Sequence, residues 1–137
     1  MSRVLDDEEQ MSKLLCTITL CSGLACAMAA PAYALTGPQK NAVRSAKDYL
    51  AISGFSRNGL IQQLSSPYGD GYSVADATAA VDSLDVDWNR QAVRSAEDYL
   101  RMMGFSCSGL IQQLSADAGD KYTTSQATYG AQQAGAC

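Results

Sequence analysis

Histidine is absent from the 137 residues. That removes the commonest general base and the commonest metal ligand together. Ser–His and Cys–His nucleophilic pairs are excluded with it. Positive charge is also scarce, with Lys+Arg 10 against Asp+Glu 14 and a net charge of −4. Such a chain carries no cationic footprint for nucleic acid or for an anionic membrane surface. Aromatic residues make up only 7%. The run Gly69-Asp70-Gly71 lacks the regular ligand spacing of a calcium loop. Asp82, Asp85 and Asp87 read as a solvated acidic helix end. Neither a metal site nor a cofactor site emerges, and the expectation is a protein that binds and does not catalyse.

What the sequence does have begins with an apolar stretch. Leu14 to Ala30 is uncharged, Lys13 precedes it, and Ala32-Tyr33-Ala34 follows. A basic start, an apolar core and a small-x-small site form the layout of a secretory signal peptide, placed at residues 1–34. Cleavage after Ala34 leaves a chain beginning at Leu35. The competing reading is a retained membrane anchor, since 17 uncharged residues lie near the spanning minimum. Membrane contact would then run only through this segment. Asp6-Asp7-Glu8-Glu9 sits poorly before an export signal, and Met11-Ser12-Lys13 makes a better start. Cys16, Cys21 and Cys26 lack the Leu-small-small context of a lipid-modified cysteine and read as small apolar residues of the signal core. The expected location is secreted or cell surface.

The rest of the chain is a repeat. A shift of 50 residues lays RSAKDYL (44–50) on RSAEDYL (94–100), and GFSRNGLIQQLS (54–65) on GFSCSGLIQQLS (104–115). Of the 46 pairs between 42–87 and 92–137, 23 are identical, so the halves share one supersecondary plan. Each unit reads as three short helices. In the first unit these run from about Pro38 to Ser53, from about Arg57 to Ser65, and onward from Ser73, which with Asp76 forms a capping box. Val43, Ala46, Tyr49 and Leu50 face inward from the first helix. Leu60, Ile61 and Leu64 do so from the second, and Val74, Ala77, Val81 and Leu84 from the third. Gly54 stops the first helix, and Ser66 to Gly71 is dense in turn residues. Asp87 caps the next helix and Trp88 lies at the junction. The fold class is all-α: two tandem three-helix, helix-turn-helix-like repeats, 35–87 and 88–137, after the signal. The helix-turn-helix likeness does not bring DNA binding with it, because residues 35–137 count eight basic side chains against ten acidic and no helix has a basic face.

Two cysteines remain beyond the signal, Cys107 and Cys137, and an even pair in an exported chain is read as a disulfide; two unrelated thiols are the alternative. Under the 50-residue shift Cys107 aligns with Arg57 and Cys137 with Asp87. The same tie is therefore expected to be an ion pair, Arg57 with Asp87, in the first unit, unless Asp87 serves only as a helix cap. The second unit also has Ala131 and Ala134 where the first has Val81 and Leu84. Closing a loop of ~30 residues contributes roughly 3–4 kcal/mol on the chain-entropy estimate, comparable to what those smaller side chains forfeit. Tyr68, Asp70 and Tyr129 are the candidate partner contacts, since Tyr68 and Tyr129 have no tyrosine in the other copy. Tyr72 and Tyr122, which repeat, are expected in the core.

The doubled string YL…GFS…GLIQQL…GD-Y…AT, joined through DVDWNRQAVRSA, resembles the Ltp-type host cell surface-exposed lipoprotein family over residues 38–137. The resemblance implies exported proteins bearing tandem helix-turn-helix-like repeats. Some such proteins are encoded by prophages and act in superinfection exclusion, blocking DNA injection by an incoming phage. The implied partner is the phage tape measure protein. The missing lipid-attachment pattern is the departure from that family. A secreted cell-envelope interaction module of unrelated role is the second reading.

Overall fold

The computed structural model describes residues 34–137. The expected signal segment, its cysteines and the Met11 start lie outside the described residues. Leu35 to Cys137 forms one compact unit of six helices and, among the described residues, no strand. The helices are α1 (Gly37–Ile52), α2 (Arg57–Ser65), α3 (Val74–Asp82), α4 (Trp88–Met102), α5 (Cys107–Ser115) and α6 (Thr124–Gln133). The arrangement is all-α and twofold repeated, as the sequence reading expects. No described helix is long and apolar enough to cross a membrane.

Every helix starts on a side-chain oxygen cap, which satisfies amides that the first turn leaves without partners. Thr36 caps α1 and forms a full capping box with Gln39. Ser56 and Ser106 cap α2 and α5 by accepting from the amides of Gly59 and Gly109. Asp87 caps α4, accepting from Arg90 N at 3.0 Å. The Ser73–Asp76 pair departs from the expected box. Ser73 Oγ accepts from Asp76 N, but the Asp76 carboxylate turns to the Ser73 hydroxyl at 2.8 Å and leaves the backbone amide. The complete box of this kind is in the second copy, Thr123 with Gln126.

Helix packing is densest within each repeat. α3 lies across α1 and α2, and α6 across α4 and α5. Each set encloses its own core. Ala46, Leu60, Leu64, Ala77 and Val81 form the first, and Ala92, Ala96, Leu110, Leu114, Tyr122, Ala127 and Ala131 the second. The fully buried leucines each contribute about 1.5–3 kcal/mol. Alanines let the helices approach closely. At Gly130 the approach is closer still: an added Cβ would lie 2.7 Å from Ala92 O. Val74 corrects its expected inward placement, being 66% exposed. It is the first helical residue after the Ser73 cap and projects beyond the stripe set by Ala77, Ala80 and Val81.

Candidate functional site

Most of the doubled string has structural work in both repeats. Tyr49 meets Phe55 edge-on at 5.7 Å, and Tyr99 meets Phe105 at 5.6 Å. Tyr49 OH donates to Asp70 Oδ1 at 2.8 Å and accepts from Gln63 Nε2 at 3.2 Å. Tyr99 does the same with Asp120 and Gln113, both at 3.1 Å. Ser45 and Tyr72 share a hydrogen bond at 3.4 Å, and Ser95 and Tyr122 share one at 2.9 Å. Gly69 and Gly119 are required by close approach, since a Cβ there would lie 2.0 and 2.1 Å from the carbonyls of Gln63 and Gln113. The repeated tyrosine, aspartate and glutamine thus brace the loop before the third helix against the first two helices.

Burial shifts several of these groups. The Tyr49 phenol is raised, first by its bond to the Asp70 carboxylate. Desolvation raises the Tyr99 and Tyr122 phenols and the Asp120 carboxyl, and at Asp120 the Tyr99 hydrogen bond partly opposes it. Each shift follows from the bracing network. No cluster of metal-ligating side chains accompanies them among the described residues.

The expected ties resolve differently in the two repeats. Cys107 and Cys137 are joined, with Cα atoms 4.8 Å apart. Arg57 does not reach Asp87. It grips Asp82 through Nε at 2.6 Å and Nη2 at 2.7 Å, raising the guanidinium and lowering the carboxyl. The reason is where the chain goes next. After α3 it runs directly into α4, and the Asp87 carboxylate is held at that helix start. After α6 it reverses at Gly135, with φ +87°, and the amides of Gly135 and Ala136 return to the carbonyls of Gln132 and Ala131. That reversal carries Cys137 back to Cys107. Both ties join the start of the middle helix to the end of the third, from different sequence positions.

What remains for function is surface, with two concave regions of similar size, one of them beside Lys47, Leu50 and Leu84. The other is a cleft of about 460 Å³ between the repeats, walled by Phe55, Gln62, Gln63 and Ser66 on one side and by Gly119 and Asp120 on the other. Tyr68 stands at its rim, 99% exposed. Its loop is fixed by the Tyr68 N to Ser66 Oγ bond at 3.1 Å and the Tyr72 N to Leu64 O bond at 2.9 Å. An exposed aromatic ring on a pre-set loop suits protein contact. Of the other candidate contacts, Asp70 is turned to Tyr49. Tyr129 sits on α6, 43% exposed and outside the residues lining the cleft.

The cleft exists because the repeats touch at its base, and sequence reasoning missed this contact. Ser56 Oγ donates to Asp120 O. Arg94 Nη1 donates to Leu50 O at 2.6 Å, and Ser53 Oγ to Asp98 Oδ2 at 3.4 Å. A Cβ on Gly54 would lie 2.5 Å from Ser95 Oγ and 2.7 Å from Gln91 O, and one on Gly59 3.1 Å from Asp120 O. The available signal was Gly59 itself, a glycine inside a helix, where it is costly unless a backbone must come close.

The family described as host cell surface-exposed lipoprotein matches residues 38–84 and again 87–133. The fold is similar to a solved structure described as that of Ltp, a superinfection exclusion protein from the Streptococcus thermophilus temperate phage TP-J34. That likeness has a TM-score of 0.64 at 29% identity and covers 72% of this chain and 97% of the other. A comparison with curated proteins gives no match.

Proposed function

The chain belongs to the host cell surface-exposed lipoprotein family, and on that premise we propose that it is a binding protein of the cell surface that excludes superinfecting phage. The partner is the phage tape measure protein, and the contact is the inter-repeat cleft with Tyr68 at its rim. Residues 1–34 serve as the export signal, and repeats 35–87 and 88–137 form the working part. One observation carries the reading. The likeness to a superinfection exclusion protein spans nearly all of that protein's chain and most of this one. Supporting it is the chemistry of the surface, which offers a cleft and an exposed aromatic ring.

The test is expression in a phage-sensitive relative of the host. Phage adsorption stays intact while DNA injection falls, and escape phages carry changes in the tape measure gene. Tyr68→Ala, whose side chain packs on nothing, folds normally and loses protection. Unchanged plaque counts across a broad panel of the host's phages would turn the assignment to a secreted envelope-interaction module instead.

A further inference from the structure

The contact between the repeats is heterologous: the trailing face of the first repeat meets the leading face of the second. Because the repeats share their sequence, each face occurs twice, and one copy of each is left over.

On the trailing side, Leu50, Gly54, Ser56 and Gly59 make the contact, and Leu100, Gly104, Ser106 and Gly109 are the same residues in the second repeat. On the leading side, Arg94, Ser95, Asp98 and Asp120 make it, and Arg44, Ser45, Asp48 and Asp70 are their counterparts in the first. Gln91 contributes its backbone carbonyl, which Asn41 also has, and its Oε1 accepts from Arg94 Nη1 at 3.0 Å, where Asn41 offers a shorter amide to Arg44. The side-chain changes are two, Gln91 to Asn41 and Ser53 to Met103.

Exposure divides these pairs into used and unused members. Ser56 is 1% exposed, whereas Ser106 is open to solvent. A Cβ on Gly54 would collide with α4, whereas one on Gly104 meets nothing within 4 Å. Arg94 and Asp120 are half-buried; Arg44 and Asp70 are exposed. Beside the unused trailing face, Met102 and Met103 stand 69% and 60% exposed. Repeat proteins whose arrays end normally close the end with a polar, atypical unit. The unused trailing face carries no such polar change, since Gly104, Ser106 and Gly109 repeat Gly54, Ser56 and Gly59.

We propose that the trailing face of one chain, centred on Gly104, Ser106 and Gly109, docks on the leading face of a second copy, centred on Arg44, Ser45 and Asp70. The geometry is that of the contact inside the chain. Ser106 Oγ donates to the neighbour's Asp70 carbonyl, and the neighbour's Arg44 donates to the Leu100 carbonyl. Repetition of one heterologous contact yields a head-to-tail series of chains. The inner contact has the advantage of a short connection between its halves, equivalent to a local concentration in the millimolar range. The contact between separate chains lacks this, so it is weak in dilute solution and grows with concentration.

The experiment is sedimentation equilibrium on the full exported protein with its disulfide intact. The mean mass is expected to rise progressively between ~0.05 and ~1 mM. Gly104→Arg fills the open trailing face without touching the fold, and Arg44→Glu reverses the charge that the leading face supplies. Each variant alone stays monomeric. An equimolar mixture gives a dimer and nothing larger, because each variant keeps one sound face. Circular dichroism and thermal melting of both variants matching the parent protein exclude misfolding as the cause. A parent protein that remains monomeric through ~1 mM overturns the proposal. So does undiminished association in either variant. Loss of phage exclusion in Gly104→Arg with a monomeric parent also overturns it, and gives that face to a foreign partner.

Discussion

The two repeats carry the same bracing network and differ in how they are finished. The first fills its core with Val81 and Leu84, receives Trp88 from the following helix, and ties its middle and third helices by the Arg57–Asp82 ion pair. The second has Ala131 and Ala134, brings Gly130 against the α4 backbone, and closes with a disulfide. A repeat followed by another can borrow apolar surface from its neighbour. The second repeat holds its last helix by a covalent link, which does so with little side-chain volume. The difference teaches that the tie is a property of the repeat's position, and the bracing a property of its plan.

The strongest way to break the comparison is to remove the covalent link. Cys107→Ser with Cys137→Ser is expected to cost about 3–4 kcal/mol. The loss should be read as faster amide exchange in α5 and α6 than in α2 and α3. Equal loss of protection in both repeats would show that they unfold as one unit and that the link serves the whole chain.

A smaller effect probes the helix approach. Gly130→Ala forces a Cβ to 2.7 Å from Ala92 O. The α6 backbone must shift, at a cost of about 1–3 kcal/mol in chemical denaturation. The reciprocal change Ala80→Gly opens no such conflict and is expected to cost about 1 kcal/mol, mostly through helix propensity. A neutral Gly130→Ala would mean that the two helix pairs pack alike after all.

The smallest effect concerns the ion pair and pH. Arg57 and Asp82 keep side-chain exposures of 41% and 49%, so solvent screens them and Arg57→Ala should cost no more than about 1 kcal/mol. Asp82 has a lowered pKa in the folded chain. Its contribution is therefore present above the unfolded carboxylate range and is lost as pH falls through the folded value. Asp120 is raised by burial, so its protonation favours the fold, and acidification helps the second repeat at that site. Acid titration followed by residue-resolved NMR should thus show Asp120 in the second repeat taking up its proton first, and the first repeat's tie loosening only at lower pH. The opposite order would remove the ion pair from the account.

Much of this was legible in the residues. Helical spacing and the doubled string placed six helices, and Ser73 and Asp87 marked two of their starts. Two cysteines in an exported chain pointed to their pairing. Arg57 with Asp87 failed because alignment transfers position and not path: Gly135 lets the chain turn back, whereas Asp85 at the same offset leads onward to α4. The cleft and the contact beneath it were hidden for a related reason. Apart from Ser53, Ser66 and Tyr68, both are made largely of residues common to the two repeats, and periodicity within one repeat says nothing about which copy of a shared face is covered.

The sole tryptophan has a practical bearing on all such measurements. By sequence Trp88 opens α4, yet its ring packs on the core built from α1, α2 and α3. Intrinsic fluorescence of this protein is therefore a reporter of the first repeat. Seven tyrosines spread over both repeats and the N-terminal segment supply the remaining ultraviolet signal. Emission excited at the tryptophan edge and far-ultraviolet ellipticity will follow different parts of the molecule, and their midpoints separate whenever one repeat melts ahead of the other. A chain divided ahead of Trp88 would strip the first core of one of its covering side chains, so a fragment meant to isolate that repeat has to run past the junction and into α4.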